Sequence, residues 1–275
     1  MKKKNFIFFS VFLAMLIGLQ AFAAGLQFTP EEIANRKKWE HFLEKAKIIE
    51  SENVGEGITK PKKLTMELDG LQALGVWKNP SGVQQGYKEG WDYEIAAYKL
   101  DKYLGLNMIP PTVERTFRLR KGSLQLWVPG LISELKRREK DIAVPEDKEE
   151  YRSTMLDLAR AFDDLIANVD RTQQNICYTE DWRLILIDHS RSFRTKRIYV
   201  DQLLYGKNGM RGRPFKKLPR AFVDKVRTLT EDRIRRIVGD YLTTEEIKCV
   251  IARKKLFLKE IDEMIKEVGE DTFLY

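Results

Sequence analysis

Residues 163–178 read Asp163-Asp-Leu-Ile-Ala-Asn-Val-Asp170-Arg-Thr-Gln-Gln-Asn175-Ile-Cys-Tyr178, and residues 184–188 read Leu184-Ile-Leu-Ile-Asp188. A helical pattern ends before Asp170, a polar step leads to Asn175, and two short apolar runs predict strands over 176–178 and 184–187. A hairpin formed by these strands returns Asp188 to the side of Asn175. This stretch therefore predicts a helix, loop and hairpin that gather three polar side chains in one place.

These three side chains indicate a particular chemistry. An amide oxygen from Asn175 beside a carboxylate from Asp188 makes a hard, oxygen-only site of the kind Mg²⁺ prefers. Asp170 is placed to accept a hydroxyl proton or to orient a nucleophile. The alternative is that Asp170 merely caps a helix and that Asp188 is an exposed strand end.

A second group of candidate residues lies earlier in the chain. Lys78 ends the apolar strand Leu74-Gly-Val-Trp-Lys78, and Glu94 lies in a helix predicted over residues 89–104. A strand lysine and a helix glutamate can form an ion pair that faces a ligand, or they can be a solvated lysine and a surface glutamate. The Gly55-Glu-Gly57 turn can present backbone amides to a phosphate.

The chain divides into a β-rich part and a helical part. Alternating apolar residues predict antiparallel strands over 53–78, with a turn at Asp69-Gly70, and over 112–118 and 123–128, around a turn at Lys121-Gly122. A charged connector is predicted over 137–147, and the sequence from Glu149 onward reads as mostly helical. The fold class is therefore α+β, with a small antiparallel β lobe that holds one key helix and a larger, mainly helical lobe.

The predicted boundaries are a signal peptide (1–23), an N-terminal helical extension (24–47), a small lobe (48–130) and a helical lobe (131–275). The extension rests on Thr29-Pro-Glu-Glu32, which is typical of a helix start and opens an apolar face running to about Ile49. The signal peptide rests on three lysines, the apolar run from Phe6 to Leu19, and Ala21-Phe-Ala23.

Composition and the leader exclude several classes of protein. With 43% hydrophobic residues in 275, the chain can bury a core, which excludes a disordered protein. Without the three lysines of the leader the net charge of +8 falls to +5; with few aromatics among the basic residues and no groove-binding motif, this argues against nucleic acid as a partner. The leader predicts an exported, periplasmic or secreted protein with no stable membrane span after cleavage; an uncleaved tether is the alternative. Cys177 and Cys249 can be bridged or can be two buried thiols.

The motifs together resemble the atypical kinase-like superfamily, whose members include Fam20-type secreted kinases, HipA-type kinases and phosphatidylinositol 3-/4-kinases. The resemblance covers Ile48 to the C-terminus. The motifs that carry it are Gly55-Glu-Gly-Ile-Thr-Lys-Pro61, Tyr93-Glu-Ile-Ala-Ala-Tyr98, Pro110-Pro-Thr-Val113, Gly122-Ser-Leu-Gln-Leu-Trp127, Asn168-Val-Asp-Arg171, Asn175, and Ile187-Asp-His-Ser-Arg-Ser-Phe193.

The resemblance implies a two-lobed kinase fold with ATP between the lobes and Mg²⁺ or Mn²⁺ beside it. Asp170 is then the catalytic carboxylate, and Asn175 and Asp188 are the metal ligands. The nucleotide-binding residues are Gly55, Gly57, Lys78, Glu94, Gln125, Trp127 and Val128, with residues 123–128 leading into the hinge beside the adenine. The chain departs from the family pattern at Thr172, which stands where Fam20-type and phosphoinositide kinases commonly carry His, and at Asp188-His189-Ser190, which stands where protein kinases carry Asp-Phe-Gly.

Three functions remain open at this point. The first is an exported ATP- and metal-dependent phosphotransferase that acts on a hydroxyl of a protein, sugar or lipid. The second is an inactive pseudokinase that serves as a binding module, and the third is transfer of AMP from the same nucleotide. His189 either contacts a phosphate or packs in the core. The basic run from Lys207 to Lys217 either recruits an acidic acceptor or is a solvated face.

Overall fold

The computed structural model describes residues 28–55, 61–84 and 86–275. The predicted signal peptide (1–23) and Gly57 lie outside the described residues. The first elements are two short helices, α1 (Pro30–Ala34) and α2 (Arg36–Lys45). The Thr29 side chain caps α1 and Glu32 completes the capping box, as the sequence predicted.

The helix predicted to run to about Ile49 ends earlier, so that part of the prediction is wrong. Ala46 takes an extended conformation, with φ of −56° and ψ of 140°. Strand β1 (Lys47–Asn53) follows and pairs with β2 (Lys62–Leu68), with Ile48 opposite Met66. Pairing with β2 gives the backbone N–H and C=O groups of residues 47–53 hydrogen-bond partners in place of those a longer helix would provide.

A five-stranded antiparallel sheet forms the small lobe. Its order is β1-β2-β3-β7-β6, where β3 is Leu71–Lys78, β6 is Thr112–Phe117 and β7 is Arg120–Leu126. One face of the sheet packs its apolar residues against α2; this cluster includes Phe42, Leu43, Leu64, Met66, Trp77 and Leu124. Since neighbours along a strand alternate between faces, Lys78 lies on the opposite face from Trp77.

The turn between β6 and β7 lies at Arg118-Leu119, not at Lys121-Gly122. Both turn residues have positive φ, +49° and +63°, as a tight hairpin turn requires. Gly122 lies inside β7 for a different reason: a Cβ there would stand 2.4 Å from the Lys78 carbonyl oxygen and 2.7 Å from the Trp77 ring. The glycine therefore allows the close approach of β3 and β7.

Two further elements connect the sheet to the large lobe. A hairpin of β4 (Ser81–Gln84) and β5 (Tyr87–Gly90), which the sequence did not predict, precedes helix α3 (Trp91–Leu104). The helix therefore begins at Trp91 instead of Glu89, and it ends at Gly105 in the left-handed conformation, as predicted. Buried residues of α3 belong to the core of the large lobe, so this helix ties the two lobes together.

The large lobe is mainly helical, and it carries a small sheet of order β10-β9-β8. Part of the predicted charged connector is helical, because α4 already begins before Arg137. The long helices α5 and α9 supply much of the core. The elements in chain order are β8 (Ile132–Ser133), α4 (Glu134–Glu139), α5 (Glu146–Ile166), β9 (Ile176–Tyr178), β10 (Leu184–Leu186), α6 (Ile198–Asp201), α7 (Arg220–Arg227), α8 (Glu231–Val238), α9 (Thr244–Val268) and α10 (Glu270–Phe273).

The lobe architecture agrees with the predicted fold class, and the numerical lobe boundaries at 47/48 and 130/131 stay predictions. Cys177 and Cys249 are two buried free thiols. In residues 28–55, 61–84 and 86–275, no helix has the length and apolar character needed to cross a bilayer.

Candidate functional site

The loop between α5 and β9 is built by the end of the helix. Ala167 closes α5 in the left-handed conformation, with φ of +46°, and the Asn168 side chain binds both Asp163 Oδ1 and the Asp170 N–H, at 3.1 and 3.2 Å. The Asn175 Nδ2 then donates to the Asp170 carbonyl at 2.8 Å. Asp170 and Asn175 are therefore the two ends of a loop that this hydrogen bond closes.

The hairpin brings Asp188 beside this loop. β9 and β10 pair with Leu186 opposite Ile176, and the next N–H, that of Ile187, donates to the Asn175 carbonyl at 3.2 Å. Asp188 itself has φ of +59°, a conformation that aspartate tolerates better than most residues. The predicted return of Asp188 to the side of Asn175 is therefore present in the structure.

A buried arginine fixes the loop and the hairpin against each other. Arg171 makes two hydrogen bonds to the Asp163 carboxylate, both at 3.0 Å, and its Nη1 donates to the carbonyls of Asn175 and Ile187 at 3.0 and 2.9 Å. The side chains of Arg171 and Asp163 are 3% and 0% exposed, so each depends on the other for neutralisation. The positions of Asn175 and Asp188 thus depend on one ion pair.

Histidine 189 belongs to this support and not to the ligand-facing surface. It is fully buried, and its Nε2 lies 2.8 Å from Arg171 Nη2. A guanidinium can only donate, so His189 Nε2 accepts and the imidazole is neutral. Burial, aided by Arg171, lowers the pKa of His189, in agreement with the neutral form. Of the two predicted roles for His189, the structure shows packing.

Lys78 is the link between the small lobe and Asp188. Its Nζ lies 2.9 Å from Glu94 Oε1 and 3.4 Å from Asp188 Oδ1. The other Glu94 oxygen accepts the backbone N–H of His189 at 2.9 Å. Glu94 therefore connects the lysine on the sheet to the residue that follows Asp188.

The charges of this ion pair are strongly stabilised. Burial alone would lower the pKa of Lys78, but the carboxylates of Asp188 and Glu94 outweigh it and raise that pKa. Burial alone would raise the pKa of Glu94, but the Lys78 charge and the contacts with His189 hold it well below its usual range. Lys78 is thus permanently charged, and its cation lies between the carboxylates of Glu94 and Asp188.

Asp170 lies in a less enclosed environment. Its side chain is 33% exposed, and its Oδ2 lies 3.5 Å from Arg191 Nη1. Burial raises the pKa of Asp170, although the Arg191 charge opposes this. Arg191 is held in turn by Glu89 at 2.6 Å, so the β4–β5 hairpin supports the Asp170 side. A carboxylate with these properties can accept a proton from a hydroxyl.

The donor set around Asp188 suits a hard divalent cation that arrives with phosphates. The Asn175 amide donates through Nδ2, which leaves Oδ1 as its ligating atom, and Asp188 offers a carboxylate that is 36% exposed. Across the described residues, no three His, Cys, Asp or Glu side chains converge into a closed metal site. Mg²⁺ commonly uses one or two carboxylates, waters and substrate phosphates, so two protein ligands fit it.

The other predicted nucleotide-binding residues lie on the sheet and its connections. Gln125 is paired with Val76, so it shares the sheet face of Lys78, and its Nε2 donates to Thr112 Oγ1 at 2.9 Å. Trp127 and Val128 follow the end of β7, in the segment that leads to the large lobe. Gly55 has a φ of +49° and lies after β1, in the connection to β2.

Four residues that support the site through ion pairs were not predicted from the sequence. Arg171, Asp163, Arg191 and Glu89 all have ordinary local patterns, and their partners are up to about a hundred positions away along the chain. One signal was present, since Arg171 directly follows Asp170 in the quoted stretch. Nothing in the spacing of Asp163 or Glu89 pointed to a role.

Comparisons with solved structures find the same overall fold in other proteins. A hydra Fam20 structure with sugar superimposes with a TM-score of 0.61 at 15% identity, over 88% of this chain and 92% of that one. A Golgi casein kinase gives 0.62 at 15% identity, over 90% and 78% of the two chains. The Helicobacter pylori proinflammatory kinase CtkA gives 0.51 at 10% identity, over 79% and 94%.

These likenesses show the fold. The chain shares the two-lobed fold of these kinase structures, which confirms the predicted fold class and agrees with the resemblance drawn from the motifs. No protein-family model matches the chain, and no curated protein matches it.

Proposed function

We propose that this chain is a phosphotransferase that uses ATP and a divalent cation, Mg²⁺ or Mn²⁺, and moves the γ-phosphate to a hydroxyl acceptor. The observation that carries the proposal is the position of Lys78 Nζ, 2.9 Å from Glu94 and 3.4 Å from Asp188, beside the loop that holds Asp170 and Asn175. The same residue types do this work in kinases. The fold likeness to kinases supports the assignment.

The binding residues divide the work between phosphates and metal. Lys78 contacts phosphate oxygens, and Glu94 fixes its direction through the ion pair. Asn175 and Asp188 hold the metal, which neutralises negative charge on the phosphates when it is bound. Gln125, Trp127 and Val128 line the nucleotide side of the sheet and hinge, and the Gly55-Glu-Gly57 motif is assigned to the phosphates from its sequence alone.

Asp170 acts on the acceptor. Its carboxylate orients the attacking hydroxyl and takes up the hydroxyl proton, while Arg191 restrains it from the other side at 3.5 Å. Phosphoryl transfer needs mainly positioning and charge stabilisation, and these residues provide both.

We also propose that the protein works after export, in the periplasm or outside the cell. The support is the sequence of residues 1–23, with its lysines, apolar run and Ala21-Phe-Ala23. The acceptor is then a hydroxyl-bearing molecule of that compartment.

The Asp188→Asn variant is expected to weaken metal-dependent nucleotide binding by about 10- to 100-fold, since it removes the negative charge of one of the two proposed protein ligands. Isothermal titration of the mature chain with a non-hydrolysable ATP analogue, in Mg²⁺ or Mn²⁺ and in chelator, measures this. Asp201→Asn is the matched control, because Asp201 is an exposed carboxylate of the same lobe that forms an ion pair with Arg197 and lies outside the proposed site. Wild-type protein that binds no nucleotide, or that binds equally well in chelator, contradicts the proposed function.

A further inference from the structure

A cavity of about 580 Å³ opens in the large lobe next to Asp170. Residues of α4 and α5 form one side, and residues 169–173 and 205–213 form the other. Pockets for small molecules are commonly about 300–1,000 Å³. Asp170 lines this cavity and also lies at the proposed transfer site, so a small molecule held here has a path to the catalytic carboxylate.

The cavity lining is strongly cationic. Among the described residues, its walls carry three carboxylates, those of Glu134, Asp163 and Asp170, and twice as many guanidinium groups. These guanidinium groups belong to Arg138, Arg152, Arg160, Arg171, Arg211 and Arg213.

The carboxylates at the walls are already engaged by arginines. Asp163 accepts two hydrogen bonds from Arg171, both at 3.0 Å. Glu134 faces three guanidinium groups at once, those of Arg137, Arg138 and Arg152, at 2.8, 2.6 and 3.2 Å. Burial alone would raise the pKa of Glu134, but these arginines lower it to about 2. Glu149 also lies 3.5 Å from Arg152, so two carboxylates face these three arginines and one positive charge is left over. Arg160 is paired with Asp157 at 2.8 Å.

Two arginines at the rim carry charge that no carboxylate neutralises. Arg211 donates to the Val169 carbonyl at 3.0 Å and to the Tyr205 hydroxyl, both neutral groups. Within residues 28–55, 61–84 and 86–275, neither Arg211 nor Arg213 forms an ion pair with a carboxylate. Both are exposed and both line the cavity. Guanidinium groups recognise phosphate through paired N–H donors.

We propose that the acceptor is a small hydroxyl compound that already carries a phosphate, such as a sugar or polyol phosphate, and that its phosphate binds Arg211 and Arg213. This inference rests on the proposed function of the same site. A volume of about 580 Å³ matches a small molecule, and the surplus of arginines favours an anionic one.

In this proposal the γ-phosphate passes from ATP to the acceptor hydroxyl. The acceptor's hydroxyl oxygen forms a bond to the γ-phosphorus of ATP as the bond from that phosphorus to the β–γ bridging oxygen breaks. The bond's electron pair leaves with ADP, and the hydroxyl proton passes to the Asp170 carboxylate. The product carries two phosphates, and the arginine pocket holds the one that was present at the start.

The test is isothermal titration of the mature chain with glucose 6-phosphate and with glucose, each with and without bound ATP analogue. The analogue keeps the sugar phosphate from occupying the site at Lys78. Glucose 6-phosphate is expected to bind and glucose is not, and the Arg211→Gln/Arg213→Gln variant is expected to bind about 10-fold more weakly or worse. Lys216→Gln/Lys217→Gln is the matched control, because it removes two charges from exposed side chains of the same segment that do not line the cavity.

The inference is overturned by wild-type protein that binds glucose 6-phosphate no better than glucose, or by a control variant that weakens binding as much as the arginine variant. Binding of an acidic peptide in place of glucose 6-phosphate also overturns it. Nucleotide binding is measured on the same preparation. Failure of the sugar phosphate alone therefore counts against this inference, and failure of the nucleotide alone counts against the proposed function.

Discussion

Replacement of Asp170 by asparagine is expected to lower ADP formation by about 10²- to 10⁴-fold, the usual contribution of a positioned general base. The amide keeps the size of the side chain but cannot accept the hydroxyl proton. Because Lys78, Asn175 and Asp188 remain, affinity for ATP should change little. The measurement is the rate of ADP formation at saturating ATP, with titration of the nucleotide on the same protein.

Asp201→Asn serves again as a surface carboxylate control and should keep the wild-type rate. An Asp170→Asn protein within twofold of the wild-type rate would show that Asp170 has no part in the chemistry. Equal loss of nucleotide binding and of turnover would instead assign Asp170 to binding.

Replacement of Arg171 by methionine is expected to cost about 3–5 kcal/mol of unfolding free energy, because it leaves the buried Asp163 carboxylate without its positively charged partner. Both side chains of this pair are almost completely buried. The same change removes the donors to the Asn175 and Ile187 carbonyls, so nucleotide and metal binding should weaken as well. Urea unfolding followed by circular dichroism measures the stability.

If the Arg171→Met chain does not fold, the Asp163→Asn/Arg171→Met double variant tests the same ion pair. Removing both charges should recover part of the loss, since no buried charge is then unpaired. Arg197→Met is the control: its side chain is 93% exposed, and its pair with Asp201 should contribute less than about 1 kcal/mol. A single Arg171→Met variant that loses no more than the control would exclude the supporting role assigned to this ion pair.

The sequence was most informative where the site is local. Asp170 and Asn175 are separated by a loop that closes on itself, and Asp188 follows a two-strand hairpin, so spacing alone brings these residues together. Lys78 and Glu94 were harder to connect, because an unpredicted hairpin lies between them. Their ion pair depends on how α3 packs against the sheet, and no short-range pattern encodes that packing.

Residues that act at long range could not be found from the sequence. Glu89 and Arg191 are 102 positions apart, and Arg211 and Val169 are 42 positions apart, so each pair meets only in the folded chain. The incorrect prediction of a turn at Lys121-Gly122 also has a long-range cause. Glycine is typical of turns, but Gly122 is required by the contact of β7 with β3, and the turn itself uses Arg118 and Leu119. The end of α2 was misjudged because an apolar pair, Ile48 and Met66, favours strand pairing.

The most direct test of phosphoryl transfer is the identity of the nucleotide product. Purified mature protein is incubated with ATP and Mg²⁺ or Mn²⁺, and the nucleotides are separated by chromatography, with a chelator control. A phosphotransferase is expected to form ADP only when the metal is present. Formation of AMP and pyrophosphate would show nucleotidyl transfer on this fold. Unchanged ATP together with no metal-dependent nucleotide binding would show a binding module, and either result would contradict the proposed phosphotransferase.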